Sequence, residues 1–171
     1  MQPVPSAGSL RWARAFPVAA AVLAVGAAVL PNHVQPGANE VIALERSALD
    51  RWGKGDVGGF LALYADDITY FDPLQDRRVD GLPAMRALYA RFAGTFKIDR
   101  YEMLNPKVQR SGDVAVLTYN IQNYARQADG TERPTNHWNV TEVFRRIGGR
   151  WRTIHSHFSY TKPEIRKPAS Q

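Results

Sequence analysis

Two hydrophobic periods divide this chain. Between residues 39 and 93 apolar positions recur every three or four residues, and from Phe96 onward they alternate with polar ones. These are the repeats of helix and strand. Asn39 is placed to cap a first helix whose Val41, Leu44, Ala48 and Trp52 share a face, and Gly53 and Gly55 stop it. A second short helix is expected from Val57 to Ala65, after Asp56. Ile68 to Phe71 is β-rich and ends at Asp72-Pro73. Gly81 to Ala93 reads as a third helix, with Pro83 in its first turn and Leu82, Met85, Leu88, Tyr89 and Phe92 on its apolar face. Strands follow at Lys97 to Gln109, Val114 to Gln127, Pro134 to Arg146 and Arg150 to Tyr160. Ser111-Gly112-Asp113, Ala128 to Thr131 and Gly148-Gly149 supply the turns between them. Helices first and a long antiparallel meander afterwards define an α+β fold: three N-terminal helices on a strongly bent antiparallel sheet that encloses a pocket.

The last hairpin carries a register. A two-residue turn at Gly148-Gly149 sets Ile147 opposite Arg150, Glu142 opposite His155 and Asn139 opposite Phe158. One face then holds Asn139, Thr141, Val143, Ile154, Ser156 and Phe158. The other holds Trp138, Val140, Glu142, Phe144, Trp151, Thr153, His155 and His157. Both are partly apolar, so one is expected under the helices. The other, with Trp138, Glu142, Phe144, His155 and His157, is expected to meet a second subunit in a homodimer. Tyr119, Ile121 and Asn123 join the Thr141 face only if the loop before Pro134 is Asp129-Gly130-Thr131; a two-residue Asp-Gly turn reverses them.

The N-terminus changes the picture of where the domain works. Residues 1–14 carry Arg11 and Arg14 and no acid, and Ala15 to Leu30 is an unbroken apolar run of sixteen residues. As a helix it would rise about 24 Å, short of a hydrocarbon core of roughly 30 Å. Small residues close the run, with Val25 and Ala27 in a cleavage-site arrangement. Residues 1–30 are therefore expected to be a secretory signal, or else an uncleaved anchor, and the domain periplasmic or secreted. Residues 31–39 make a linker, 40–162 the domain and 163–171 a flexible tail. Membrane contact is expected only if the leader stays attached. Without the two leader arginines the formal charge of +6 falls to 20 basic against 16 acidic residues. The basic residues are scattered, so a nucleic-acid surface is not expected. The absence of cysteine excludes disulfides, thiol nucleophiles and thiolate metal sites.

Met103-Leu104-Asn105-Pro106, Gly112-Asp113, Tyr119, Arg145-Arg146 and above all Trp151 to Ser159 (WRTIHSHFS) resemble the association domain of calcium/calmodulin-dependent protein kinase two. Gly55-Asp56, Ile68 to Pro73 and Val79-Asp80-Gly81 follow in the same order and at nearly the same spacing. The chain, over about residues 40–160, is thus similar to the nuclear transport factor two-like (SnoaL-like) superfamily. The resemblance implies a cystatin-like α+β roll, dimeric in most bacterial members. It also implies a difference. Three arginines that line the kinase hub's pocket correspond here to Ile121, Thr141 and Phe158, and a nearby histidine to Met85. A carboxylate in such a pocket would lack a partner for its buried charge. An uncharged, partly apolar ligand is the expectation.

Tyr64, Tyr70, Met85, Tyr119, Ile121, Asn123, Asn139, Thr141, Ser156 and Phe158 are the expected pocket residues, and Asp72, at the pocket mouth, is the candidate acid–base residue. Tyr64, Tyr70, Tyr119, Asn123, His137 and Asn139 could supply its few polar contacts. His155 and His157 flank Ser156 without a third ligand at motif spacing, so no metal site and no cofactor are expected. Three functions fit these residues. The first is binding of a small, mostly uncharged organic molecule. The second is an isomerase or dehydratase using Asp72 with a pocket Tyr or His. The third is an oligomerisation or protein-interaction module, which a closed cavity below about 300 Å³ would favour.

Overall fold

The computed structural model describes residues 37–161. The leader, most of the linker and the tail lie outside the described residues. Helix α1 spans Ala38–Trp52 and buries Val41, Glu45, Ala48 and Leu49 along one stripe. Its N-cap is Gly37, at φ 99°, with no side-chain cap. Asn39 is therefore inside the first turn and exposed, because the left-handed glycine turns the chain into the helix one residue earlier. Helix α2 is Gly58–Leu63 and α3 is Leu82–Ala90. Strand β1 runs Tyr64–Phe71, longer than the ITYF core, because Tyr64 leaves α2 in an extended conformation and pairs with Thr153. The short β2 is Val79–Asp80, and β3 to β6 are Arg100–Ser111, Val114–Arg126, Glu132–Ile147 and Arg150–Tyr160.

The sheet has six strands in the order β2-β1-β6-β5-β4-β3 and curls without closing; it is mixed rather than wholly antiparallel as expected, because β1 runs parallel to β6. The fold is α+β, with helices on the concave side. No helix among the described residues is long and apolar enough to cross a membrane. The core gathers the helix stripe with Ile68 and Tyr70 of β1, Leu117, Tyr119 and Ile121 of β4, Phe144 of β5 and Trp151 of β6.

One irregularity decides which residues face inward. The β5–β6 ladder begins as expected, with Ile147 opposite Arg150, and holds to Phe144 opposite Thr153. The next pair is Val143 with His155, so Ile154 is an extra residue on β6. Beyond the bulge, parity reverses: Glu142 faces Ser156, Val140 faces Phe158 and Asn139 faces Ser159. Trp151, Thr153, Ser156 and Phe158 consequently all point to the helices, while Ile154, His155 and His157 point away. The β4 register sets Tyr119 opposite Val140 and Ile121 opposite Trp138, on this same inner face. Two of the expected groupings are corrected by this geometry. Asn139 and Thr141 are on the outer face, and Trp138, Glu142 and Phe144 are on the inner one. Glu142 and Phe144 are fully buried.

Candidate functional site

The helices and the inner face enclose a cavity of about 160 Å³. Leu49 and Trp52 of α1, Phe60 of α2 and Tyr89 of α3 form one wall. Tyr70, Tyr101, Ile121, Trp138 and Phe158 form the other, one or more from nearly every strand. The rings touch in series. Trp52 stands 5.7 Å from Phe60 and 4.9 Å from Tyr89, centroid to centroid. Tyr70 meets Tyr89 edge-on at 6.1 Å, Phe158 follows at 6.3 Å, and Trp138 closes the row edge-on to Phe158 at 6.3 Å. Leu74 and Asn136 line the rim and are exposed, so the hollow opens to solvent there.

Polar groups in the cavity are few. Asp72 is half-buried; its Oδ2 accepts from the Tyr70 hydroxyl at 2.8 Å and its Oδ1 from the Leu74 amide at 2.7 Å. Tyr89 exchanges a hydroxyl hydrogen bond with Tyr64 at 2.9 Å, behind the wall. Burial holds the tyrosines 64, 70 and 89 in the neutral form, their pKa values raised above the ordinary phenol range. Asn123 is 6% exposed, and its Oδ1 has no hydrogen-bond partner among the described residues.

Deeper in the core lies a second polar feature. Glu45 and Glu142 are both fully buried. The Tyr119 hydroxyl donates to Glu45 Oε1 and the Ser156 hydroxyl to Glu142 Oε1, each at 2.6 Å. Both Oε2 atoms lack a partner among the described residues. Burial pushes the Glu45 carboxyl up to about 7, against the opposing pull of the Tyr119 hydrogen bond. Glu142 is raised well above the carboxylate range, by burial first and then by the charge of Glu45. Neither lines the cavity, but Glu45 is one helical turn from Leu49, which does.

Of the residues expected in the pocket, Tyr70, Ile121, Asn123 and Phe158 line it, with Asp72 at its mouth. Tyr64, Met85, Tyr119 and Ser156 point inward but are packed in the core behind it. Asn139 and Thr141 do not reach it: on β5 they alternate with the inward Val140 and Glu142, and the bulge at Ile154 on β6 puts Phe158 opposite Val140 rather than on their face. His137 is exposed, and its backbone carbonyl holds Thr161. The lining side chains missed include the aromatic Trp52, Phe60, Tyr89, Phe92, Tyr101 and Trp138; the first five are apolar positions with nothing to separate cavity wall from core, and Trp138 was expected on the outer face. Glu45 had a legible signal, an acid on the stripe Val41, Glu45, Ala48, Leu49. On the outer face, His155 Nδ1 lies 2.8 Å from Thr69 Oγ1, and the His155 and His157 rings are 6.4 Å apart. Burial, then His157 and Arg78, lower the pKa of His155. No group of three or more His, Cys, Asp or Glu converges among the described residues.

A curled sheet holding an aromatic hollow under N-terminal helices defines the class: a cone-shaped α+β roll. The SnoaL-like domain family matches residues 41–163, and the chain belongs to that family. Among solved structures it is similar to a candidate ketosteroid isomerase from Parabacteroides distasonis, at 34% identity and TM-score 0.62, over 72% of this chain and 86% of that one. An NTF2-like protein of unknown function from Pseudomonas putida matches at 25% identity and TM-score 0.63, over 77% and 92%. The association domain of CaMKII from C. elegans matches at 24% identity and TM-score 0.61, over 72% and 94%, a likeness of fold. No curated protein matches the chain at a significant level.

Proposed function

We propose that this domain binds a small, mostly uncharged organic molecule in its cavity. The observation that carries the reading is an aromatic hollow, open at one rim, that holds a buried amide with an unpaired oxygen. An unpaired buried acceptor costs about 1–3 kcal/mol, which a ligand donor to Asn123 would offset. The lining contains no lysine, arginine or histidine, so a carboxylate ligand would find no counter-charge. Volume limits the occupant. About 160 Å³ is below the 300–1,000 Å³ of drug-sized sites and close to the roughly 150 Å³ cavity that admits benzene. The ligand is therefore about one ring in size. The volume falls under the limit that would favour an interaction module, but the open rim at Leu74 and Asn136 leaves the hollow accessible.

The contact between Tyr70 and Asp72 supports a second reading, proton transfer on a bound carbonyl compound. Asp72 would take a proton from carbon and the neutral Tyr70 hydroxyl would steady the carboxyl group. The likeness to a candidate ketosteroid isomerase points the same way, although a steroid exceeds the volume. We place the domain outside the cytoplasm on the strength of the leader, and as a homodimer through the outer face around His155, His157 and Val143.

Native mass spectrometry of the purified protein, with thermal-shift screening of one-ring compounds, tests the binding reading. A retained small molecule or a stabilising hit supports it. An empty protein that no compound stabilises overturns it. A carbonyl substrate separates the two readings: in the enzymatic one the wild type turns it over and Asp72→Asn does not, and in the other neither protein does.

A further inference from the structure

We infer that the cavity selects an organic ammonium: a one-ring molecule with a single protonated nitrogen, held between the aromatic wall and Asp72. This rests on the reading that the cavity binds a one-ring organic molecule, and it replaces the uncharged character proposed there with a single positive charge. Eight of the fifteen lining residues are aromatic, and Asp72 is the only ionisable carboxyl among them. Aromatic faces carry negative potential, and a cation within about 6 Å of a ring centroid is attracted, most strongly by tryptophan. Trp52 and Trp138 stand towards opposite ends of the ring row, so a cation between them has rings on several sides. Arg91 already lies near the Phe92 ring, with its Cζ 5.6 Å from the centroid. Among the described residues no protein cation stands over Tyr70, Trp138 or Phe158.

The acceptors match the donors of an ammonium. A carboxylate offers about four lone-pair sites, and Asp72 uses one for Tyr70 and one for Leu74. Asn123 adds a buried, unpartnered oxygen on the same lining. A protonated nitrogen can donate to one of these acceptors while its carbon skeleton fills the hydrophobic remainder. A neutral alcohol of the same shape keeps the packing and one hydrogen bond but loses the charge attraction. An anion meets Asp72 and the ring faces, both repulsive.

Isothermal titration of the full chain at pH 7 and low salt with benzylamine, benzyl alcohol and benzoate tests this. The expected order is amine, alcohol, benzoate, with the amine about tenfold tighter than the alcohol. Asp72→Asn is expected to bring the amine within about threefold of the alcohol by weakening the amine more than the alcohol. Trp138→Leu is expected to weaken the amine more than the alcohol. If the alcohol binds as tightly as the amine, or both variants keep the preference for the amine, the ammonium assignment fails and the ligand-binding reading stands. If benzoate binds tightest, or none of the three binds a protein that remains folded, both fail.

Discussion

The buried acid pair makes stability depend on pH in an unusual direction. A carboxyl whose folded pKa is raised above its unfolded value binds more protons in the folded state. Its stability is complete below the unfolded pKa and is lost as pH climbs through the folded one. For Glu45 the window runs from the ordinary 4.5 to about 7. At 1.36 kcal/mol per pKa unit, that interval corresponds to about 3 kcal/mol, most of it lost between pH 5 and 7. Glu142 adds to the same slope, since it is raised in the same direction and partly by Glu45 itself. With a urea m-value of about 1–3 kcal/mol/M, the midpoint should fall by about 1 M or more. The perturbation is Glu45→Gln with Glu142→Gln. Each keeps an oxygen to accept from Tyr119 or Ser156, but neither ionises. Urea unfolding at pH 5, 6, 7 and 8 should show a falling midpoint for the wild type and a nearly flat one for the double variant. A wild-type midpoint that rises or stays level over this range would refute the shared-burial account. So would a double variant with the wild-type slope.

Four further outcomes follow from the packing. Tyr119→Phe removes the donor to buried Glu45 Oε1 and should cost about 1–3 kcal/mol, read by urea unfolding at pH 7, more than Tyr124→Phe, which removes a 2.9 Å hydrogen bond to Glu102 at a part-buried site. Gly59→Ala would put a Cβ 2.9 Å from Arg51 Cβ and 3.0 Å from the Ala48 carbonyl, forcing α1 and α2 apart. Calorimetry should show a lower Tm and a loss of about 1–3 kcal/mol. Phe158→Arg places a cation in the aromatic hollow; titration should show benzoate gaining and benzylamine losing affinity. Light scattering on the full chain should give a dimer mass at micromolar concentration, and Val143→Glu on the outer face should give a monomer.

The class of fold was legible because it rests on periodicity, which survives changes in individual residues. The strands β3 to β6 keep a period of two, and the helix stripes keep theirs, so the order of the long elements follows from pattern; the two-residue β2 in a polar connection and the parallel pairing of β1 with β6 do not. Boundaries were less legible where tertiary pairing competes with local propensity: Tyr64 and Ala65 continue the helical pattern of α2, yet pairing of Tyr64 with Thr153 draws them into β1. The candidate site was legible by half: no pattern separates cavity wall from the core behind it, where Tyr64, Met85, Tyr119 and Ser156 pack, and one residue accounts for the misplaced Asn139, Thr141 and Trp138. A period-two reading from Trp151 puts His155 and His157 on the side of Thr153, which buries two imidazoles in the core and turns Phe158 away from the cavity wall it shares with Trp138. The insertion of Ile154 resolves both conflicts at once. It brings Ser156 to Glu142 and Phe158 to the hollow, and frees the histidines to the outer face. A bulge also bends its strand and increases the local twist, so the residue that reverses parity also helps to bend the sheet around the cavity. The clue available beforehand was the polarity of the histidines at positions that strict alternation would bury. Alternation that would bury titratable groups while turning a phenylalanine outward is better read as a break in register than as an unusual core.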